Sequence, residues 1–217
     1  VSSFLSANPD IQIKYYNPTA ERMDPGFFRT IFHGVVNFRQ INQRMHNKVM
    51  IFDQQATIIG GRNIADSYFG LSPKRNFRDR DILMIGKETA RVRESFEQFW
   101  NYRFAIPSFK LKEFSSSKIM RSAKEHGYRL DLTAENLFSD IHAAALDVGI
   151  VSDQIVSKLI ESDDVEFWAD LPGKNNTRGL SGGGHLTSKF QQTLEQAKHS
   201  VIVQSPYVVL SENAKNI

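Results

Sequence analysis

The stretch that decides the fold is Arg44–Asp53, RMHNKVMIFD, and after six intervening residues it is followed by Gly60–Asn63, GGRN. Residues 48–52 and 56–59 form two largely apolar runs, with three polar residues between them, and the glycine pair ends the second run. Short apolar runs bounded by turn residues are typical of buried strands. The pattern therefore predicts a tight β-hairpin that is buried on both faces.

His46 and Lys48 stand two residues apart at the entry of the first predicted strand. Side chains two apart on a strand project from the same face, so the pair should lie together. A histidine buried beside a lysine is costly unless an anion lies between them. Lysine can bind phosphate oxygens, neutral imidazole can attack phosphorus, and the amide of Asn63 can donate a hydrogen bond to the same oxygens.

The complete spacing is His-x-Lys-x4-Asp-x6-Gly-Gly-x-Asn, and it resembles the motif of the phospholipase D superfamily. In that family two homologous repeats each contribute one motif, and the reaction passes through a phosphohistidine. The resemblance implies that His46 is catalytic, as nucleophile or as acid and base, and that Lys48 and Asn63 bind phosphate. It makes Asp53, Gly60 and Gly61 motif residues with a structural role. It implies no metal and no other cofactor.

A carboxylate is needed to hold the tautomer of the catalytic histidine and to stabilise its charged form. In the family, an aspartate at the head of the next core strand does this. Asp79 is our choice for the partner of His46, and Asp81 is the alternative; a surface salt bridge is the other explanation for either residue. Arg62, inside the motif, is left open between a surface residue and a group that steers phosphate.

The rest of the chain divides at Pro107 and at a Gly-rich stretch before His185. Strands are predicted at 11–16, 81–85 and 201–204, and helices at 87–103, 133–146, 152–161 and 186–197, with a helical turn at 63–69. We expect an α/β, phospholipase D-like sandwich, with a mixed β-sheet flanked by helices. Residues 1–106 would be a complete first repeat, 107–184 a connecting segment, and 185–217 the start of a second repeat.

Further segments resemble the cardiolipin synthase C branch of the bacterial phospholipase D proteins. These segments are 63–70, 77–83, 96–100 and 204–207. That resemblance implies phosphatidyl transfer, with phosphatidylglycerol as acceptor and phosphatidylethanolamine as donor, or phospholipid hydrolysis. It also implies a bacterial protein that associates with a membrane or the cell envelope.

The chain contains no second His-x-Lys-x4-Asp motif, and five histidines lie outside the first one. We expect these five to be structural or exposed: His33, His126, His142, His185 and His199. Because the sequence starts at Val1 and ends just after a strand-like run, we expect a longer protein whose second motif follows, and an inactive fragment. The alternative is a homodimeric phosphodiesterase that completes its site across a two-fold axis.

Composition narrows the function only slightly. The absence of cysteine excludes disulfides and thiol nucleophiles, and the net charge of +3 is compatible with anionic substrates of several kinds. A nuclease on the same fold is therefore the second hypothesis, supported by a basic cluster near the motif. The cluster consists of Lys74, Arg75, Arg78 and Arg80. A third hypothesis is a catalytically inactive scaffold module.

Overall fold

The computed structural model describes residues 10–18, 45–111, 135–173 and 185–205. The predictions that concern His33 and His126, and most of the Gly-rich stretch before His185, fall outside these residues. Two compact units are present, one of residues 1–11 and 113–165, the other of residues 12–112 and 166–217. The division into repeats stays a prediction.

The described residues of the second unit contain two small antiparallel sheets. One has the order β2–β3–β4, from Val49–Phe52, Ala56–Gly60 and Asp81–Ile85. The other pairs β1, Lys14–Tyr16, with β5, Ala105–Pro107. The predicted α/β class is confirmed, but both sheets in the described residues are antiparallel rather than mixed. The phospholipase D-like sandwich stays a prediction.

Helix α1, Glu88–Trp100, packs on the three-stranded sheet and supplies most of the core. Val92 and Thr89 are almost completely buried, and the ring of Phe99 lies 5.4 Å from that of Tyr16 in β1. Lys14 donates a hydrogen bond of 2.8 Å to the carbonyl of Trp100 and lies over its ring. Helix α1 therefore joins the two sheets through its apolar face.

Residues 166–173 continue this unit beside α1. The Phe167 amide donates to the Glu88 carboxylate at 3.1 Å, and the Gly173 amide donates to the Tyr16 hydroxyl at 3.0 Å. Burial raises the pKa of the Tyr16 hydroxyl. Helix α4, His185–Gln196, confirms the helix predicted there. Glu166 accepts a hydrogen bond from the indole of Trp168 and forms an ion pair with Lys189, which lies in α4. The hydrogen bond from Trp168, more than the Lys189 charge, lowers the pKa of Glu166.

Between residues 135 and 165 the first unit holds two consecutive helices, α2 (Glu135–Leu146) and α3 (Val148–Gln154), and a 3-10 turn at Val156–Lys158. The helix predicted at 152–161 was placed too late. Asp147 starts α3 because its side chain accepts the amide hydrogens of Gly149 and Ile150, at 2.8 and 3.1 Å. Within the described residues, no helix is both long enough and apolar enough to cross a membrane.

Three strand predictions need correction. Residues 201–204 form no strand, and all of them are exposed with no pairing partner in the described residues. The first strand is shorter than predicted, since it begins at Lys14. The hairpin is also not buried on both faces, because the alternate side chains of Met50 and Phe52 are exposed in β2. An antiparallel sheet covered on one side by α1 leaves its other face open.

Candidate active site

His46 and Lys48 lie directly before β2, and their side chains are in contact. The Nζ of Lys48 is 3.3 Å from Nδ1 and 3.4 Å from Nε2 of His46, and it donates to the His46 carbonyl at 2.9 Å. The predicted juxtaposition is therefore present. His46 is exposed rather than buried, because it lies beyond the last paired residue of the sheet, whereas Lys48 is half-buried. An anionic ligand can reach both side chains from solvent.

Asp53 lies at the opposite end of β2, in the turn of the hairpin. Asp53 and Gln54 have φ angles of 46° and 62°, and the amide of Gln55 donates to the carbonyl of Phe52 at 2.9 Å. Positive φ angles at both central residues of the turn from Phe52 to Gln55 are typical of a type I′ turn, in which aspartate is well tolerated. Seven residues of extended chain put Asp53 roughly 20 Å from His46. The position supports a structural role for the motif aspartate.

The glycine pair of the motif makes room for two carboxylates. A Cβ atom on Gly60 would lie 1.7 Å from Oδ1 of Asp81, and one on Gly61 would lie 2.6 Å from Oδ2 of Asp79. Gly60 is paired with Asp81 across β3 and β4, and its amide also donates to the Lys48 carbonyl at 3.4 Å. The start of β2, the end of β3 and the start of β4 therefore meet at one end of the sheet.

The side chain of Arg62 links the segments that meet at this end of the sheet. Its Nε donates to Oδ2 of Asp81 at 2.6 Å, and its two terminal nitrogens donate to the carbonyls of Tyr68 and Asp79. The guanidinium also lies over the ring of Phe69. The sequence alone leaves Arg62 open between a surface residue and a group that steers phosphate. Its donors instead hold the chain between β3 and β4, a role that leaves no local sequence pattern.

The two candidate carboxylates, Asp79 and Asp81, differ in the hydrogen bonds and ion pairs that they already make. Asp81 is engaged in the ion pair with Arg62, whereas among the described residues Oδ1 of Asp79 accepts a hydrogen bond, of 2.9 Å, only from the amide of Arg80. In the described residues, neither carboxylate is hydrogen-bonded to His46, which lies on the other side of β3. Asp79 has the free acceptor capacity, so its assignment as the partner of His46 stays our prediction.

Asn63 follows the glycine pair and is exposed at the same end of the sheet as His46. Its carbonyl accepts the amide hydrogen of Ala65 at 3.0 Å, which turns the chain away from β3.

Three of the other histidines are described, and all are exposed: His142, His185 and His199. No group of three potential metal ligands occurs among the described residues.

Comparison with known proteins shows which proteins this chain resembles. The chain is 33% identical over 103 residues to cardiolipin synthase C of Escherichia coli, across 48% of the chain and 21% of that protein. It is 26% identical over 191 residues to a cardiolipin synthase of Clostridium perfringens, across 86% of the chain and 31% of that protein. The chain is homologous to the cardiolipin synthases of the phospholipase D superfamily.

This homology extends to proteins of unassigned activity. An uncharacterized protein of Helicobacter pylori strain J99 is 32% identical over 207 residues, which are 94% of the chain. The chain spans 39% of the length of that relative. No protein-family model matches the chain, and no solved structure matches it significantly. The cardiolipin synthase homology confirms the predicted family, and the relatives named here are all bacterial proteins.

Proposed function

We propose that the full-length protein transfers or hydrolyses phospholipid phosphodiesters through a phosphohistidine, with His46 as one of its two catalytic histidines. The observation that carries the proposal is the contact between His46 and Lys48. It lies at the end of the three-stranded sheet where β2 and β4 begin and β3 ends, called here the open end. A basic nitrogen and an ammonium group face solvent side by side there, inside a motif that the cardiolipin synthase homology supports.

In the proposed reaction, a histidine nitrogen attacks the phosphorus atom, and the bond from phosphorus to the leaving oxygen breaks. That oxygen takes a proton from the second histidine, which then removes the proton from the acceptor as the acceptor oxygen displaces the enzyme nitrogen. His46 fills one of these two roles. Lys48 and Asn63 bind the non-bridging oxygens, where negative charge develops, and Asp79 orients the imidazole of His46.

The proposed substrates are phospholipids, with phosphatidylglycerol as acceptor and phosphatidylethanolamine as donor, so that cardiolipin is the product. Support comes from the relatives of known name, which are cardiolipin synthases. Such a protein works at a membrane surface, and we propose an association with the bacterial membrane or envelope. Transfer and hydrolysis differ only in whether an alcohol or water reaches the phosphohistidine.

The test is a product assay on the full-length protein and its His46→Ala variant, with His199→Ala as the matched control at an exposed histidine. Mixed phosphatidylethanolamine and phosphatidylglycerol vesicles are supplied together with single-stranded DNA. We expect cardiolipin from the unchanged protein and from the control, and none from His46→Ala. Phosphatidic acid alone would make the protein a hydrolase, while cut DNA beside intact lipid would contradict the proposal.

A further inference from the structure

The segment between β3 and β4, residues 61–80, is called here the β3–β4 loop, and it is tightly built. Ser72 and Asn76 exchange two hydrogen bonds of 3.0 Å, and the Phe77 amide donates to the Ser67 carbonyl at 2.7 Å. The ring of Phe77 lies 5.0 Å from that of Tyr68. With Arg62 holding both ends, the loop has a defined shape before it meets any ligand.

This ordered loop nevertheless turns large apolar side chains outward. Ile64 is 97% exposed, and more than half of the surface of Phe69 and of Leu71 is in solvent. Phe77 is also exposed. Single exposed apolar residues are common, but four exposed apolar side chains within fourteen residues of one ordered loop favour an apolar partner.

The same loop is strongly basic. Its exposed cations are Lys74, Arg75, Arg78 and Arg80. None of these four forms an ion pair with any other described residue. Apart from Asp79, the loop carries one further acidic residue, Asp66. Cations that are not neutralised, interleaved with outward apolar side chains, match the chemistry of an anionic lipid bilayer: the basic groups bind headgroups and the apolar groups enter the interface.

We propose that the β3–β4 loop is a docking surface for anionic lipid bilayers. The loop leaves the sheet after Gly60, whose amide donates to the Lys48 carbonyl, and returns to it at Asp81, so it begins and ends at the same end of the sheet as the His46 and Lys48 pair. Ile64 and Leu71 favour lipid over nucleic acid, because aliphatic side chains offer bases no aromatic face to stack on. The benefit of docking to catalysis rests on the proposed function, whereas the docking itself does not.

The experiment is sedimentation of the full-length protein with vesicles of mixed phosphatidylglycerol and phosphatidylcholine, and with vesicles of phosphatidylcholine alone. The test variant replaces three loop cations by glutamine: Lys74→Gln, Arg75→Gln and Arg78→Gln. The matched control removes the same charge from exposed lysines elsewhere in the unit: Lys87→Gln, Lys110→Gln and Lys198→Gln. A third variant, Ile64→Ser with Leu71→Ser, removes apolar surface only, and circular dichroism checks the folding of each protein.

We expect the loop-cation variant to bind the anionic vesicles about 10²-fold more weakly than the charge control, since each basic residue near the surface contributes to binding. The deficit should shrink at high salt. The apolar variant should bind roughly tenfold more weakly at every salt concentration. Equal vesicle binding by the loop-cation variant and the charge control would overturn the proposal, whatever the protein's activity.

Two further arms separate this inference from the catalytic one. His46→Ala should bind vesicles as the unchanged protein does, because His46 lies outside the β3–β4 loop. If loop-dependent binding persists while no lipid is turned over, the docking surface stands and the proposed function fails. If the loop-cation variant loses affinity for single-stranded DNA but not for vesicles, the partner is nucleic acid and the docking proposal is wrong.

Discussion

The open end of the three-stranded sheet and the packed face of α1 are held by different forces. At the open end, the contacts are polar: Lys48 against His46, and Arg62 against Asp81. At the face of α1, Val92 and Phe99 are buried against the sheets. The candidate catalytic groups therefore lie where little apolar surface is buried, and the residues that stabilise the fold lie elsewhere. Activity and stability should respond to different substitutions.

The largest expected effect is on stability, at the packed face of α1. Phe99→Ala should lower the free energy of unfolding by about 4 kcal/mol, because it removes a buried ring and leaves a cavity beside Tyr16. Denaturant unfolding measures the change. Phe109→Ala is the control, since Phe109 is 73% exposed, and it should change stability by less than about 0.5 kcal/mol. Similar losses of unfolding free energy in both variants would contradict the claim that the packed face of α1 stabilises the fold.

The next effect is on activity, at the open end. Lys48→Ala should reduce phosphatidyl transfer by about 10²-fold, equivalent to about 3 kcal/mol, because a positioned cation no longer stabilises charge on the phosphoryl oxygens. Steady-state kinetics on mixed vesicles measures this, with Lys87→Ala as the control at an exposed lysine. A loss of stability that accounts for the lost activity would mean that Lys48 is a structural residue.

Gly60→Ala should lower both the stability and the activity of the protein. A methyl group there would collide with the Asp81 carboxylate and displace the partner of Arg62, so about 2 kcal/mol of stability should be lost together with activity. Thermal unfolding and kinetics on the same sample check this. Gly149→Ala in α3 is the control, because among the described residues its Cβ would meet only the Asp147 side chain, at 3.2 Å. An active, stable Gly60→Ala protein would contradict the described packing of the two carboxylates.

The smallest effect concerns the motif aspartate. Asp53→Gly should change stability by less than about 1 kcal/mol and leave the activity of the folded protein intact, since glycine also suits a type I′ turn. Asp53→Val should cost about 1–2 kcal/mol, because a β-branched residue resists a positive φ angle. Loss of activity without loss of stability in Asp53→Gly would make Asp53 a catalytic residue.

Sequence reasoning succeeded where local pattern determines structure. The hairpin, the strand at 81–85, helix α1 and helix α4 all follow from apolar periodicity and turn residues, and the structure contains each of them. The contact between His46 and Lys48 follows from the two-residue period of extended chain. These features depend on neighbours in sequence, so the sequence alone predicts them.

The features that sequence reasoning missed depend on distant partners. The run at 201–204 has strand composition, but a strand also needs a neighbour to bind, and no described residue supplies one. The fastening role of Arg62 depends on Asp81, nineteen residues away. The exposure of Met50 and Phe52 depends on which face α1 covers. Contacts between residues so far apart in sequence leave no local sequence pattern.

The most direct test of the central claim compares His46→Ala with His199→Ala in the full-length protein, measuring phosphatidyl transfer and thermal unfolding on the same samples. We predict that His46→Ala lowers the transfer rate by about 10³-fold or more, because it removes a group that attacks phosphorus or moves a proton. Its unfolding midpoint should match that of the control. If His46→Ala retains the transfer rate of His199→Ala, the motif is not the catalytic centre.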